Sequence, residues 1–432
     1  MLPIVAYSDR HALLPALFDR SGTRNDEVDS TTQQILHQVR DGGDAAIAEL
    51  TERFDGIRPT SLRVEDSAIE MALARLPVNL LSIFEDAADN IRRFHERQMR
   101  ESWYMDDGDG VVLGQRFLPI DRAGLYVPGG TAAYPSSVLM NAIPAQVAGV
   151  REIHLASPPG PDGQPHHLVL AAARLLGIES IYAVGGAQAV GAFAYGTESI
   201  PKVDKIVGPG NAYVAAAKKL VYGQVDIDSI AGPSEIVVVA DDTADAEYAA
   251  VDMLAQAEHD RRSSAVLLTT SEGLAERVRI HIQALVPELP RSDLIQASLR
   301  EFGACIVTST LEEAIEVVNE LAPEHLELHV ADPWTVLASV RHAGAVFLGP
   351  HSPEPVGDYF AGPNHVLPTS GTARYASALG VDDFLRRQSV IAYSRQRLMR
   401  TGAAIASFAR AEQLDAHALA VDARVNRREK LG

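Results

Sequence analysis

Residues 235–270, EIVVVADDTADAEYAAVDMLAQAEHDRRSSAVLLTT, set the architecture that we predict for the whole chain. An apolar, β-branched run opens this stretch, an alanine-rich amphipathic segment over 244–259 follows, and a second apolar run over 264–270 closes it. Short β-branched runs that alternate with helical segments are typical of parallel strands joined by helices. The stretch therefore predicts a parallel α/β sheet.

The same alternation extends to both sides. From Val111 onward, short β-rich runs alternate with Gly/Pro turns and alanine-rich helices, and downstream GACIVTS, LELHV and GAVFLGP continue the pattern. These segments predict two α/β halves. Residues 1–22 predict an arm with one short helix, residues 66–101 a helical region, and residues 381–430 helices without strands.

Composition limits the class of protein. With 432 residues, 47% hydrophobic and 22% charged, the chain fits a globular enzyme of two or three compact units. A formal charge of −19 excludes a nucleic-acid partner, since phosphate binding requires clustered Lys and Arg. The first residues lack a signal peptide and no apolar run is long enough to span a bilayer, so we expect a cytoplasmic protein without membrane contact.

Cys305 is the single cysteine, which excludes an internal disulfide and fits a reducing compartment. It lies in the apolar run GACIVTST, which predicts a buried structural thiol. The alternative, a nucleophilic thiol, would require an exposed loop.

QAEHD is the first candidate site motif. If the helix over 244–259 continues through it, Gln256 and His259 are three residues apart and share one face. An imidazole beside a carboxamide oxygen supplies half of a zinc site. A helix end with a solvated histidine is the alternative.

APEHLEL places Glu324 and His325 side by side before a strand. Adjacent Glu and His supply two proton-transfer groups, and a helix–strand junction favours function; a helix-terminal histidine is the alternative. Residues 356–377 predict a long functional loop that carries Asp358, a possible hard zinc ligand, and His365. AGPSEI offers Ser234 in a tight turn before a strand.

Two glycine loops, VGGAQAVGAF and VGPGNAYVAAAKK, close strands and open helices, as phosphate-binding loops do. Gln188 and Asn211 at these loops, and Tyr126 before a Pro-Gly-Gly turn, are best placed to contact a ligand. Neither loop matches G-x-G-x-x-G, so ordinary turns of an α/β sheet are the alternative. Near the C-terminus, Glu412 and His417 are five residues apart and share a site only if a helix ends between them; a surface helix is the alternative.

Taken together, YVPGG, GGAQAVGAFAYG, GPGN, AGPSE, QAEHD, APEHLEL, GDYFAGPNHVLPTSGTAR and EQLDAH resemble the histidinol dehydrogenase family, in order from about residue 20 to the C-terminus. The resemblance implies a four-electron oxidation of L-histidinol to L-histidine through an aldehyde, with NAD and one zinc per subunit. It also implies two incomplete Rossmann-like, aldehyde-dehydrogenase-like lobes with an N-terminal arm and a helical C-terminal tail. The implied domains are an arm over 1–22, a zinc and substrate lobe over 23–122 and 235–380, an NAD lobe over 123–234, and a dimer-swapped tail over 381–432.

The resemblance also assigns residues. It makes Gln256, His259, Asp358 and His417 the zinc ligands, with His417 and Glu412 supplied by the other subunit of a homodimer. It places the remaining substrate contacts at Ser234, His325 and His365, and the NAD contacts at Tyr126, Gln188 and Asn211.

The implied chemistry gives His325 the role of general base in both oxidations and Glu324 the activation of the water that attacks the aldehyde. Zinc would orient the substrate more than it would generate hydroxide. Three rivals remain at this stage: a paralogous dehydrogenase for another small alcohol, a nonenzymatic NAD- or zinc-binding protein, and a thiol-dependent aldehyde dehydrogenase.

Overall fold

The computed structural model describes residues 2–18, 26–129 and 133–426. By its internal contacts the chain divides into two units, Met1–Gln98 with Ile120–Phe384, and Met99–Pro119 with Leu385–Gly432. The proposed boundaries of arm, lobes and tail stay a prediction.

Parts of three predictions lie outside the described residues. They are residues 1 and 19–22 of the arm, Gly130 of YVPGG, and residues 427–432 of the tail.

The strands of the described residues, in chain order, are β1 Ile4–Ala6, β2 Trp103–Asp106, β3 Val111–Pro119, β4 Arg122–Tyr126, β5 Glu152–Ser157, β6 Ser180–Ala183, β7 Lys205–Val207, β8 Asp226–Ile227, β9 Glu235–Ala240, β10 Ser264–Thr269, β11 Gly303–Val307, β12 His325–His329, β13 Ala345–Leu348 and β14 Leu385–Tyr393. The α-helices are α1 Arg10–Leu13, α2 Pro15–Phe18, α3 Asp26–Asp55, α4 Asp66–Ala74, α5 Val78–Glu96, α6 Pro135–Ala148, α7 His167–Leu175, α8 Gly186–Tyr195, α9 Ala212–Val221, α10 Ala246–Ala257, α11 Glu272–Leu285, α12 Ser292–Phe302, α13 Leu311–Leu321, α14 Pro333–Leu337, α15 Glu354–Tyr359, α16 Arg395–Ala411 and α17 Asp415–Val425. Short 3₁₀ turns lie at Tyr7–Asp9, Val286–Glu288, Thr372–Arg374 and Val381–Phe384.

A six-stranded sheet in the first unit has the order β1-β11-β10-β9-β12-β13, and all of its strands are parallel. From β9 the chain adds β10 and β11 on one side and then β12 and β13 on the other. The direction of growth therefore reverses between β9 and β12, which makes these two strands the topological switch point of the sheet.

The five-stranded sheet of the same unit has the order β6-β5-β4-β7-β8 and is also parallel. Its growth reverses between β4 and β7 in the same way. Both sheets thus contain the five-strand order of a Rossmann fold without its sixth strand. The predicted α/β fold with two incomplete Rossmann-like lobes and a helical C-terminal segment is confirmed.

Burial explains why these strands are continuous apolar runs. Every residue of β9 and of β10 is buried, because helices cover both faces of the six-stranded sheet. Parallel sheets covered on both faces have no solvated side and so show no alternation of polar residues. Any polar side chain inside such a strand consequently requires its own explanation.

The second unit contains a three-stranded antiparallel sheet in the order β14-β3-β2. Strands β3 and β14 pair over nine residues, from Val111 with Tyr393 to Pro119 with Leu385. Helices α16 and α17 follow and pack against each other.

Three expectations about secondary structure were wrong. The tail does not start with helices, because β14 precedes them; its sequence LRRQSVIAY is mostly exposed and gains its strand pairing from β3 rather than from an apolar pattern. The arm contains two short α-helices and a strand, β1, whose Ile4 pairs with Cys305. The predicted loop over 356–377 begins inside α15.

Among the described residues, no single helix combines the length and the apolar content that crossing a membrane requires. Only α4 and α5 together, which meet at a bend of 106°, reach that length and composition.

Cys305 lies on β11 between β1 and β10 and is fully buried. Burial raises the pKa of its thiol to about 12, so the reactive thiolate is scarce at neutral pH. The structure agrees with a structural thiol. A thiol-dependent dehydrogenase would need this cysteine in an exposed loop, whereas it lies in a buried strand.

We therefore expect iodoacetamide to leave Cys305 unmodified in the native protein at mildly alkaline pH and to modify it after unfolding in denaturant. Mass spectrometry of the intact protein measures both states. Rapid modification of the native protein would contradict the buried position of the thiol.

Candidate active site

The amino ends of β9 and β12 bring Glu324 and His325 against Glu235. These strands are neighbours at the switch point, and His325 is level with Ile236. The main-chain N–H of Glu235 donates to Glu324 Oε2 at 2.9 Å, and His325 Nδ1 lies 3.0 Å from the carbonyl oxygen of Glu235. The main-chain N–H and carbonyl groups of Glu235 thus hold the side chains of both Glu324 and His325.

The bond to Glu235 decides which nitrogen of His325 carries the proton. A carbonyl oxygen only accepts, so Nδ1 must be the donor. Burial lowers the pKa of His325, so the ring carries this one proton, and Nε2 is left as an acceptor. Nε2 is buried and has no hydrogen-bond partner. An unprotonated imidazole nitrogen held in this way is suited to act as a general base.

Glu324 is also buried, and its carboxyl group is held from two sides. Burial raises its pKa well above the ordinary value, while the hydrogen bonds from the Glu235 N–H and from Ser234 act in the opposite direction. When ionised, such a carboxylate is a stronger base than one in water. Ser234 is half-buried next to it, so the structure brings Ser234, Glu324 and His325 together.

Helix α10 ends with the motif QAEHD. The helix stops at Ala257, and His259 lies in the following turn, where its N–H donates to the carbonyl oxygen of Gln256 at 3.2 Å. Gln256 is 1% exposed, yet neither its Oε1 nor its Nε2 has a hydrogen-bond partner. Because a buried amide without partners costs free energy, both polar atoms of this side chain are available to a ligand.

Asp358 and His365 meet at α15. His365 Nδ1 donates to the carbonyl oxygen of Asp358 at 3.1 Å and lies 3.8 Å from its Oδ1. His365 Nε2 is buried without a partner, so it too points an acceptor into the site. Burial lowers the pKa of His325 and of His365; the nearby charge of Asp358 acts in the opposite direction, and the charge of His259 lowers both pKa values further. His259, Asp358, His325 and His365 therefore share one electrostatic environment.

The residues fit a metal ion by their chemistry. Gln256 Oε1, His325 Nε2 and His365 Nε2 are buried donor atoms without partners, and the set contains only nitrogen and oxygen, as zinc accepts. Among the described residues, however, the compact ligand group that includes Asp358 consists of His325, Glu354 and Asp358, whose ligand atoms lie within 4.8 Å of one another. Of the histidine and carboxylate ligands that the resemblance assigns in this unit, His259 lies outside that group.

Glu354 is a site residue that the sequence analysis missed. Burial, and then the charge of Asp358, raise the pKa of Glu354 to about 10, so its neutral carboxyl group can hydrogen-bond to the Asp358 carboxylate. The two residues are one helical turn apart in PEPVGD. This four-residue spacing was the available signal, but the segment was predicted to be a loop.

A second group was also missed: Asp252, Glu327 and His329, all buried, have ligand atoms within 4.8 Å of one another. Glu327 and His329 interrupt the apolar strand LELHV, which was a detectable signal.

Glu412 and His417 belong to the second unit, and the other predicted site residues belong to the first unit. Helix α16 ends at Ala411 and α17 begins at Asp415, so a helix does end between them, as a shared site requires. Both are exposed.

The predicted NAD contacts lie at or shortly after the carboxyl ends of β4, β6 and β7 of the five-stranded sheet. Tyr126 ends β4, Gln188 lies in the first turn of α8 after β6, and Asn211 precedes α9 after β7. The carboxyl ends of parallel strands all lie on the same side of the sheet. Ligands of such sheets bind on that side at the switch point, which is here between β4 and β7.

The loops at the carboxyl ends of these strands pack closely against one another. The N–H of Gly186 donates to Tyr126 Oη at 3.1 Å, and burial raises the pKa of Tyr126 to about 12, so its hydroxyl stays neutral. Gly208 has a φ of +116°, and a Cβ there would collide with the carbonyl oxygen of Tyr126. Only glycine lets the two loops approach this closely.

Asn211 caps helix α9, since its Oδ1 accepts from the N–H groups of Tyr213 and Val214. Beneath this loop a buried ion pair joins Lys218 to Asp228, and Lys218 Nζ donates to the carbonyl oxygen of Gly208 at 3.0 Å. The sequence analysis missed this support, because the two adjacent lysines of VAAAKKLV predict a solvated helix face, whereas the side chain of Lys218 is buried.

Known proteins share both the sequence and the fold. The histidinol dehydrogenase family model matches residues 18–425. A histidinol dehydrogenase of Halalkalibacterium halodurans is 55% identical over 93% of this chain and 95% of its own, and one of Geobacillus kaustophilus is 56% identical over 95% and 96%. The crystal structure of histidinol dehydrogenase from Elizabethkingia anophelis superposes with a TM-score of 0.92 at 36% identity, covering 98% of both chains.

The match spans both lobes and the tail, and it includes Glu324, His325 and the glycine loops. The chain belongs to the histidinol dehydrogenase family, NAD-dependent oxidoreductases of the last step of histidine biosynthesis.

Proposed function

We propose that Glu324 and His325 form the proton-transfer pair for both oxidations of L-histidinol, with zinc held by Gln256, His259, Asp358 and His417 of the partner subunit. The observation that carries this proposal is the hydrogen bond from His325 Nδ1 to Glu235, which leaves Nε2 free as a buried acceptor.

In the first oxidation His325 Nε2 takes the hydroxyl proton of the substrate as the hydride leaves. The bond to Glu235 keeps the ring in the required tautomer throughout. NAD supplies the hydride acceptor, and Tyr126, Gln188 and Asn211 would hold it at the switch point of the five-stranded sheet.

In the second oxidation a water molecule attacks the aldehyde, and Glu324 takes a proton from that water. Its raised pKa makes the ionised carboxylate an effective base. Once its first proton has been released to solvent, His325 deprotonates the hydrate as the second hydride leaves to a second NAD. Because Cys305 is buried, a hydrate rather than a thiol adduct is the intermediate that this chain can form.

Zinc, when bound, would act as a Lewis acid that fixes the imidazole and amino nitrogens of the substrate. Ser234 and His365 would complete the pocket with Glu412 of the partner subunit. Glu354 would orient Asp358 through their hydrogen bond, as outer carboxyl groups orient metal ligands elsewhere.

An exposed apolar sheet face supports the homodimer. Trp103, Met105, Leu113, Ile391 and Tyr393 lie on one face of the β14-β3-β2 sheet, since Met105, Leu113 and Ile391 are direct cross-strand partners and the others are two residues along. Each of them is between 37% and 72% exposed. Contiguous apolar surface of this kind marks a protein interface, and the unit that carries it also carries His417.

Glu324→Gln tests whether Glu324 acts only in the second oxidation, while His325 is the base of the first. The amide can still accept the Glu235 N–H but cannot take a proton from water, so we expect aldehyde oxidation to slow by about 10²–10⁴-fold while alcohol oxidation is largely retained. Stopped-flow NADH formation from L-histidinol and from L-histidinaldehyde measures the two steps separately. Equal losses in both steps would assign Glu324 to another role.

Subunit exchange tests the shared site. His417→Ala chains are mixed with chains that carry both Glu324→Gln and His325→Ala. If the ligand comes from the partner, one of the two sites in each mixed dimer is intact, so about a quarter of wild-type activity should return at random exchange. Absence of recovery, with mixed dimers demonstrated by native mass spectrometry, would rule out exchange of this ligand between subunits.

A further inference from the structure

Three titratable side chains lie along strand β12. His325, Glu327 and His329 alternate in sequence and therefore share one face of the strand. His325 belongs to the proposed proton-transfer pair, whereas Glu327 and His329 have no role in it. Both are buried, and Leu326 and Leu328 between them pack in the opposite apolar layer.

Glu327 is fully buried, and it joins three elements of the first unit. Its Oε1 accepts from the main-chain N–H of Glu354 at the start of α15, at 2.7 Å. Its Oε2 lies 3.3 Å from His329 Nε2 on the same strand, and Asp252 on α10 completes this group, with an Oδ2 3.7 Å from the same nitrogen.

Each of these elements carries one part of the proposed site. Asp252 is one helical turn before Gln256 on α10. Glu354 is one turn before Asp358 on α15. His325 is two residues before Glu327 on β12. Glu327 therefore contacts all three elements that carry the proposed zinc ligands Gln256 and Asp358 and the proposed base His325.

Stability alone does not account for a carboxylate at this position. Well-packed apolar residues in place of buried ionic groups are often neutral or stabilising, so burial of Glu327 among His329, Asp252 and Glu354 needs another reason. The charge of Glu327 also contributes to raising the pKa of Asp252 to about 8, after the larger effect of burial. Asp252 therefore holds a proton more readily than an exposed aspartate does.

We propose that Glu327 is a positioning residue, which sets the spacing of α10, α15 and β12 and thereby of Gln256, Asp358 and His325. This inference rests on the proposed function of the same site. Glu327 acts through its neighbours, since its contacts are to the Glu354 N–H and to the His329 and Asp252 side chains.

Three variants of the full-length protein test the role. Glu327→Leu removes the acceptor for the Glu354 N–H, whereas Glu327→Gln keeps an acceptor oxygen of the same reach. Thr308→Val is the matched control: Thr308 is a buried residue directly after β11 and outside the site motifs, and the substitution removes its side-chain hydrogen bonds to the Thr310 and Thr269 carbonyl oxygens.

Zinc affinity is measured by competition with a chelator, and KM and kcat for L-histidinol are measured on the zinc-loaded proteins. We expect Glu327→Leu to weaken zinc binding by about 10–100-fold and to raise KM, as loss of an outer support does in other metal sites. Glu327→Gln and Thr308→Val should remain within about threefold of wild type on the same scale.

If Glu327→Leu does not fold, Glu327→Asp replaces it, since a side chain one methylene shorter withdraws the acceptor from Glu354 and should show a smaller loss of the same kind. Zinc affinity and KM in these variants equal to those of Thr308→Val would overturn the inference. So would a loss of one of two bound zinc ions per chain with the other unchanged, because Asp252, Glu327 and His329 would then be a metal site themselves. Wild-type protein that binds no zinc would overturn the proposed function, and this inference with it.

Discussion

The hydrogen bond from His325 Nδ1 to the carbonyl oxygen of Glu235 is the interaction on which the site depends. It joins two strands that are neighbours only because the six-stranded sheet reverses its growth between β9 and β12. The same residue donates its N–H to Glu324, so one main-chain segment orients both proposed proton-transfer groups. Sheet topology thus favours one tautomer of His325, and in the proposed mechanism that tautomer leaves Nε2 to meet the substrate.

The two sheets use the same strand order for different purposes. In the five-stranded sheet the proposed NAD contacts follow the carboxyl ends of the strands, where α/β proteins usually bind ligands. In the six-stranded sheet Glu324 and His325 lie at the amino ends of β9 and β12 instead. Polar groups buried there lack water and therefore need fixed partners, which the main chain of Glu235 and the helices α10 and α15 provide.

Much of this could be predicted from the sequence, because it depends on local patterns. Continuous apolar runs between helices predicted the two parallel sheets, and the family motifs singled out Glu324, His325 and the glycine loops. Strand β14 was missed, since its pairing with β3 is a nonlocal interaction of a mostly exposed segment. Glu327 interrupts an apolar strand and Glu354 is four residues before Asp358, so each carried a local signal; their contact with each other could not be predicted, because it depends on how α15 packs against β12.

The central claim is that one site performs both oxidations and that zinc is required for them. The most direct measurement is the amount of NADH formed per L-histidinol consumed, with zinc-loaded protein, after chelation, and after zinc is restored. The account predicts two NADH per substrate, lost on chelation and regained with zinc. One NADH per substrate, or turnover that is unaffected by complete removal of zinc, would contradict it.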